Sequence, residues 1–160
     1  MAGCVSSIRF FSLATFTSVD GHFHIDVPGG TMTDQVMPSS GIFAGSTVHG
    51  LTRDADGLRF AVLYGDADPS YLASVSIETA LATVEQGNVN STKGTQTSDL
   101  PIIVDDQPAR EQRIASPTAS YRFHLVFVGR RLYSISVTGS GADIASAEAT
   151  TYLGSFTVDP

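Results

Sequence analysis

Two histidines near the N-terminus, His22 and His24, have a spacing that could support metal chemistry. Residues two positions apart in a β-strand point to the same face. A protein metal site needs three or four ligands, so Asp26, His49 or His124 would have to join the pair in the fold. The alternative is a polar strand face that carries two exposed imidazoles. The spacing alone leaves both interpretations open.

Other patterns of catalytic and cofactor sites are incomplete. The sequence has no Gly-x-Ser-x-Gly motif for a nucleophilic serine. Residues 41–45 lack the Lys-Ser/Thr pair that follows in a phosphate-binding loop. A calcium loop that began at Asp54 would need glutamate at its twelfth position, which is Gly65. We therefore predict no catalytic residue, no bound cofactor and a protein that is not an enzyme.

The single cysteine, Cys4, follows two small residues and excludes a disulfide within the chain. This context resembles the end of a bacterial lipobox, whose cysteine becomes lipid-modified. The charged and apolar regions of an export signal do not precede it. The two interpretations are a lipidation site left after a signal peptide and an ordinary free thiol. In the first case Cys4 would be the protein's only attachment to a membrane.

The composition predicts a folded, acidic domain. Hydrophobic residues make up 42% of the 160 residues and charged residues 16%, which does not fit intrinsic disorder. The formal net charge of −7 argues against a nucleic-acid partner and against electrostatic attraction to anionic lipid. Sparse charge and abundant hydroxyl groups favour a cell-envelope or secreted protein, with a cytoplasmic location as the alternative.

The clearest structural signal is a pair of alternating segments, residues 120–128 and 132–137, joined by a turn at Gly129. Their period of two predicts a hairpin with one buried and one polar face, Arg122 and His124 lying on the polar face. An Asp-Gly turn predicts another hairpin over residues 46–64. One sheet is expected to bury Phe60, Val62, Tyr64, Tyr121, Phe123, Leu125, Phe127, Tyr133, Ile135 and Val137.

Helical periodicity follows the second of these hairpins in the sequence. A helix is predicted to start at Asp68-Pro69 or at Ser76 and to end at Gly87. A short helix is predicted over residues 142–153. We expect residues 31–45 and 88–99 to be mostly loop.

The domain organisation and fold class follow from this order of elements. Residues 1–18 are predicted to be a flexible lead segment or an extra edge element, and residues 19–160 a single domain. Strand pairs separated by helices predict an α+β fold with a single antiparallel β-sheet and helices packed on its faces.

Four segments carry a resemblance to a known family: His24–Gly29, Gly57–Tyr64, Gly129–Tyr133 and Tyr152–Phe156. Together they resemble the PsbP-like superfamily of αβα sandwiches over residues 22–158. That superfamily includes extrinsic photosystem II proteins, a Ran-binding nuclear-import factor and bacterial envelope lipoproteins. The resemblance implies a binding or assembly role and no shared catalytic residues.

These observations predict a non-enzymatic binding or accessory domain of the cell envelope, with an unknown protein or small-molecule ligand. The alternatives are a small metal-dependent hydrolase that uses the His22/His24 face and a cytosolic protein-interaction domain. Arg130 and Arg131 form a local positive spot on an acidic chain. They are either solvated hairpin charges or a contact for an acidic partner.

Overall fold

The structure is a computed structural model that describes residues 12–160. These residues form ten strands and three α-helices, with short 3-10 turns at Gly41–Phe43 and Asp143–Ala145. The strands are β1 (Leu13–Ser18), β2 (Phe23–Pro28), β3 (Thr33–Met37), β4 (Val48–Ala55), β5 (Leu58–Asp66), β6 (Thr95–Val104), β7 (Gln107–Ala115), β8 (Ser120–Val128), β9 (Arg131–Gly139) and β10 (Thr157–Val158). The helices are α1 (Pro69–Ser74), α2 (Ile77–Thr92) and α3 (Ala147–Gly154).

Seven antiparallel strands form the large sheet in the order β3-β4-β5-β9-β8-β7-β6. The predicted hairpins β4–β5 and β8–β9 are confirmed. Their turns place Asp56, Gly57 and Gly129 at φ of 47°, 82° and 61°. Glycine reaches this region without steric cost, and aspartate tolerates it better than most residues. The Asp56-Gly57 pair and Gly129 therefore predicted the positions of the two turns correctly.

The prediction of a single sheet is wrong, because a second sheet has three strands in the order β1-β2-β10. Its central strand β2 buries Phe23, Ile25 and Val27 completely. These side chains pack onto one face of the large sheet, together with Tyr152 and Leu153 of α3. Alternation in β2 predicted a buried strand face correctly, but alternation does not specify which sheet a strand joins.

An aromatic cluster joins the two sheets. The Phe23 ring lies 5.9 Å from Tyr64, 6.0 Å from Tyr133 and 5.4 Å from Phe156, measured between ring centroids. The Tyr133 hydroxyl also donates to the carbonyl of Gly21 at 2.8 Å. Large apolar area holds the second sheet in place, together with directed hydrogen bonds such as those from Tyr133 to Gly21 and from the Val158 amide to Asp105.

The large sheet is buried on both faces, whereas the sequence predicted one buried face. Phe60, Val62, Tyr64, Tyr133, Ile135 and Val137 face the second sheet and α3. Leu125, Phe127 and the half-buried Phe123 lie on the opposite face against α1 and α2. Each strand alternates between the two faces of the sheet. The register between β8 and β9 places Leu125 opposite Ser134, so the apolar residues of β8 and those of β9 lie on opposite faces. The pattern within either strand alone does not show this.

Two segments predicted as loop are regular structure. Helix α2 continues through Gly87 to Thr92 and ends where Lys93 has φ of 52°. Strand β6 begins at Thr95, and β3 occupies part of residues 31–45. The two starts proposed as alternatives for one helix both occur, because two helices form: Asp68 caps α1 and Ser76 caps α2 through their side-chain oxygens.

The edge strands of the large sheet are β3 and β6. All five residues of β3 are exposed. Strand β6 exposes Leu100 and Ile103 at 52% and 68%, and carries Pro101 between them. Proline lacks the amide proton of the ladder and is found in sheets mainly on edge strands, which fits the position of Pro101 in the outermost strand β6.

Residues 13–18 of the predicted lead segment form the edge strand β1, paired with β2 from Leu13↔Pro28 to Ser18↔Phe23. The extra edge element is therefore the interpretation that applies to these six residues. Among residues 12–160, no helix is long and apolar enough to cross a membrane.

We predict that Phe23→Ala will lower the free energy of unfolding by about 3–5 kcal/mol, because the ring is fully buried between the sheets. Phe16→Ala is the matched control. Its ring is only partly buried beside Phe23, and its loss should cost roughly 1 kcal/mol. Chemical denaturation followed by circular dichroism measures both values. Equal losses in the two variants would contradict the role given to Phe23.

Candidate functional site

The structure separates the two histidines proposed as metal ligands. His22 precedes β2 in a turn with φ of 53°, so strand alternation does not place it beside His24. The Nδ1 atom of His24 lies 2.6 Å from Asp159 Oδ1 near the C-terminus. His49 and His124 lie elsewhere, against Asp34 and Glu111. Within the part of the chain that the structure describes, no group of three or more potential ligands could hold a metal ion.

The two arginines of the β8–β9 turn contact the chain itself. Arg131 donates to both carboxylate oxygens of Asp66, at 2.8 and 3.3 Å, and lies 5.5 Å from the ring centroid of Tyr64. Arg130 donates to the carbonyl of Ala67 at 3.2 and 3.3 Å and is otherwise exposed. The charge of Arg131 is therefore balanced by Asp66. Among the described residues, no carboxylate contacts the charge of Arg130. Cys4 lies outside the described residues.

A buried ionic network lies between the large sheet and α3. Arg122 on β8 donates through Nε and Nη2 to Glu111 Oε2 at 3.0 and 2.9 Å, and through Nη1 to Thr150 Oγ1 at 3.0 Å. The Nε2 atom of His124 lies 2.9 Å from the same carboxylate, and Arg113 Nε lies 3.0 Å from its other oxygen. The face predicted to be polar and exposed is therefore buried, because Glu111 on β7 supplies a countercharge.

The protonation of this network follows from its contacts. Burial opposes ionisation of Glu111, but hydrogen bonds from Arg122 and His124 outweigh it and lower the pKa of Glu111 to about 2. Burial lowers the pKa of His124 against the opposing effect of Glu111. A neutral imidazole that donates through Nε2 leaves Nδ1, a buried atom, without a hydrogen-bond partner. The network is closed around Glu111 and lines none of the cavities described below.

A second ionic cluster lies on the other face, between α2 and the strands β6 and β7. Arg110 donates to Asp99 through both Nε and Nη2, and its Nε lies 3.8 Å from Glu85 Oε1. Burial, then the hydrogen bond to Asp99 and its charge, raises the pKa of Glu85 to about 7. Arg110 and Glu85 hold the pKa of Asp99 below its usual value despite burial. Two carboxyl groups thus share one arginine and, below neutral pH, one proton.

A groove runs beside α2 over the half of the large sheet that the helix leaves uncovered. Two adjoining cavities of about 380 and 310 Å³ share Met37, Leu63, Asn88 and Ser134 in their walls. The loop after β3 forms one wall of the groove. Gly87 of α2 lines the other, and a Cβ added there would meet nothing within 4 Å. The groove therefore owes part of its width to a glycine in the middle of a helix.

The floor of the groove carries two serines of β9. Ser134 and Ser136 are each 8% exposed and lie on the face of the large sheet that is turned away from the second sheet. Their hydroxyl groups have no hydrogen-bond partner among residues 12–160, and the oxygens remain accessible from the groove. Asn88 is oriented by its donation to Gln112 at 2.9 Å. Arg59 is the only charged residue lining either cavity, and it forms a bidentate pair with Asp54 at 2.7 and 2.9 Å.

Two further depressions lie elsewhere on the surface. One of about 600 Å³ lies on the opposite side of α2, lined by Ile77, Leu81, Pro108 and Phe127, with Arg110 at its wall. A wide, open one of about 890 Å³ lies among the turns at the end of the sheet that carries Gly57 and Ser116.

The sequence carries one signal for the groove. Ser134 and Ser136 alternate with the buried residues of β9, on the same face as the apolar Leu132. Small polar residues in place of apolar ones are typical of a strand face that no other layer covers. Gly87 was predicted to end the helix and instead lies within it, beside the groove, and the roles of Gly87 and Glu85 depend on where α2 crosses the sheet.

Two layers on the large sheet, helices on one face and a small sheet with a helix on the other, define a PsbP-like fold. The structure is similar to the solution structure of cyanobacterial PsbP (CyanoP) from Synechocystis sp. PCC 6803, with a TM-score of 0.61 over 98% of each chain. The identity is 10%, so the similarity is one of fold. No protein-family model matches the sequence, and no curated protein sequence matches it either.

We predict that Glu85→Gln will flatten the pH dependence of stability. The folded-state pKa of Glu85, about 7, exceeds its ordinary value of 4.5. The folded state therefore binds more protons, and the contribution of Glu85 to stability is complete below about pH 4.5 and is lost as the pH rises to 7. The loss should be on the order of 1–3 kcal/mol in the wild type and absent in the variant.

Urea denaturation at pH 5 and pH 8 measures this difference. Glu78→Gln is the control, because Glu78 is exposed on the first turn of the same helix. Parallel pH profiles for the wild type and Glu85→Gln would show that Glu85 does not hold the proton.

Proposed function

We propose that this protein is a non-enzymatic binding domain of the cell envelope or of the secreted fraction, and that it binds its ligand in the groove beside α2. The observation that carries the proposal is the composition of that groove. Its walls are mostly apolar, its floor carries two hydroxyl groups without partners among residues 12–160, and the arginine that lines it, Arg59, is paired with Asp54. Such a site supports binding, and it offers no acid–base pair for turnover.

The strong ionic groups support the same proposal. Glu111 is held by two arginines and His124, and Glu85 shares Arg110 with Asp99. Structural ion-pair networks shift pKa values without taking part in chemistry. The resemblance to the PsbP-like superfamily implies a binding or assembly role as well. A location in the envelope, with Cys4 as a lipid anchor, is part of the proposal and rests on sequence alone.

A mass-spectrometric experiment tests the proposal. The purified protein is incubated with small molecules extracted from bacterial envelopes and then examined by native mass spectrometry. We expect a bound species at one ligand per chain, and we expect that ligand to be recovered chemically unchanged. Formation of product in excess of the protein concentration would contradict a binding role and favour the hydrolase alternative.

Arg130 is proposed as a second contact, for an acidic partner. The observation that favours it is that Arg130 is exposed and, within the described part of the chain, donates only to a backbone carbonyl, whereas Arg131 is paired with Asp66. Rim charges of this kind act mainly on association rate and its salt dependence.

We predict that Arg130→Ala will slow association with a polyglutamate peptide by about 2- to 5-fold at low salt and leave little change at high salt. Rapid-mixing fluorescence with a labelled peptide measures the rate. Arg59→Ala, at the opposite end of the sheet, is the control. Equal rates for the wild type and Arg130→Ala would assign Arg130 to a solvated turn.

A further inference from the structure

The hydroxyl groups on the groove floor select the ligand's polar chemistry. A polar group withdrawn from water costs free energy unless it gains a hydrogen bond. Ser134 and Ser136 are more than nine-tenths buried and their hydroxyls have no partner among the described residues, so a ligand that fills the groove would withdraw them from water. The two side chains lie on the same face of β9, because they are two positions apart in one strand. They form a pair of donor–acceptor groups directed at whatever occupies the groove.

The rest of the lining determines the charge of the ligand. The cavity nearer the β3 loop is bordered by apolar groups, such as Ile42, Phe43 and Val84, and by no charged residue. In the adjoining cavity the charge of Arg59 is already balanced by Asp54. A formal charge on the ligand would therefore lose its hydration without gaining a countercharge. The lining favours an uncharged ligand.

The shape of the groove determines the ligand's size. Volumes of about 380 and 310 Å³ lie at the lower end of the range for small-molecule sites. Gly87 keeps the wall of α2 free of side-chain atoms at the point where the groove is bordered by helix. A glycine within a helix costs roughly 0.5–1 kcal/mol relative to alanine. Gly87 therefore leaves space in the groove although it lowers the stability of the helix.

We propose that the groove beside α2 binds an uncharged, largely apolar small molecule whose hydroxyl or carbonyl group pairs with Ser134 and Ser136. This rests on the proposed function, since it names the ligand class of the same site. The depression on the other side of α2 is larger, but its polar side chains are Arg110, which is paired with Asp99, and the exposed Glu78 and Gln107. The groove differs from it in its two serine hydroxyls, which face the cavity from its floor and have no partner among the described residues.

A matched series of probes tests the ligand class: naphthalene, naphthol and naphthalene sulfonate. The three share one ring system and differ in having no polar group, a hydroxyl or a charge. Titrations followed by protein NMR give the dissociation constants and the residues whose signals move. We expect naphthol to bind about 5-fold more tightly than naphthalene, the effect of one hydrogen bond. Naphthalene sulfonate should bind at least about 10-fold more weakly than naphthol.

Variants assign the effect to the groove. In the double variant Ser134→Ala/Ser136→Ala, naphthol should lose its advantage over naphthalene, whereas the control Ser98→Ala on β6 should keep it. Gly87→Phe fills the groove from α2 and should abolish binding of both probes. Ile77→Arg alters the cavity on the other side of the helix and should leave binding unchanged. Thermal melting of each variant confirms that it is folded.

Three results would overturn the proposal: equal affinity for naphthol and naphthalene in the wild type, an advantage that survives the double variant, or tightest binding by the sulfonate. Loss of binding in Ile77→Arg with retention in Gly87→Phe would also overturn it, by placing the ligand in the other cavity. Each of these leaves the binding role intact. Conversion of an envelope molecule to product is the separate result that rejects the proposed function.

Discussion

The packing of Phe23 onto Tyr64, Tyr133 and Phe156 is the contact on which both layers of the protein depend. A seven-stranded sheet with apolar residues on both faces needs a cover on each. Helix α3 has eight residues, too few to cover one face alone. The three-stranded sheet supplies the remaining cover, and its central strand inserts the Phe23 ring into the aromatic residues of β5 and β9. Because these contacts join strands distant in sequence, the two sheets should form cooperatively.

Coverage on the opposite face is incomplete, and the groove is the result. One sixteen-residue helix, α2, crosses a sheet of seven strands. Beneath the helix the sheet carries large side chains such as Leu125 and Leu132. Beside it the sheet carries Ser134, Ser136 and Gly50. Large side chains therefore lie where the helix covers the sheet, and small ones lie where it does not. The small residues leave a concave surface beside the helix.

Much of the secondary structure could be predicted from the sequence, because it depends on local rules. The turn glycines Gly57 and Gly129 and the caps Asp68 and Ser76 each act within a few residues. Features that depend on distant partners could not be predicted. Arg122 and His124 are buried because Glu111 lies opposite on another strand, and the length of α2 beyond Gly87 depends on packing and on Asn88 bonding to Gln112. The candidate site belongs to this second class, since the groove exists only where α2, β9 and the β3 loop meet.

The proline in the terminal strand β6 has a consequence for the protein in crowded surroundings. An open strand edge with apolar side chains such as Leu100 and Ile103 is a template on which unfolded or identical chains can add and grow into fibrous aggregates. Pro101 has no amide proton to donate to a carbonyl of an incoming strand, so a continuous ladder of hydrogen bonds cannot form along this edge. At the other end of the sheet, β3 offers only five residues, with the charge of Asp34 among them. Both edges of the large sheet therefore carry features that oppose the addition of another strand.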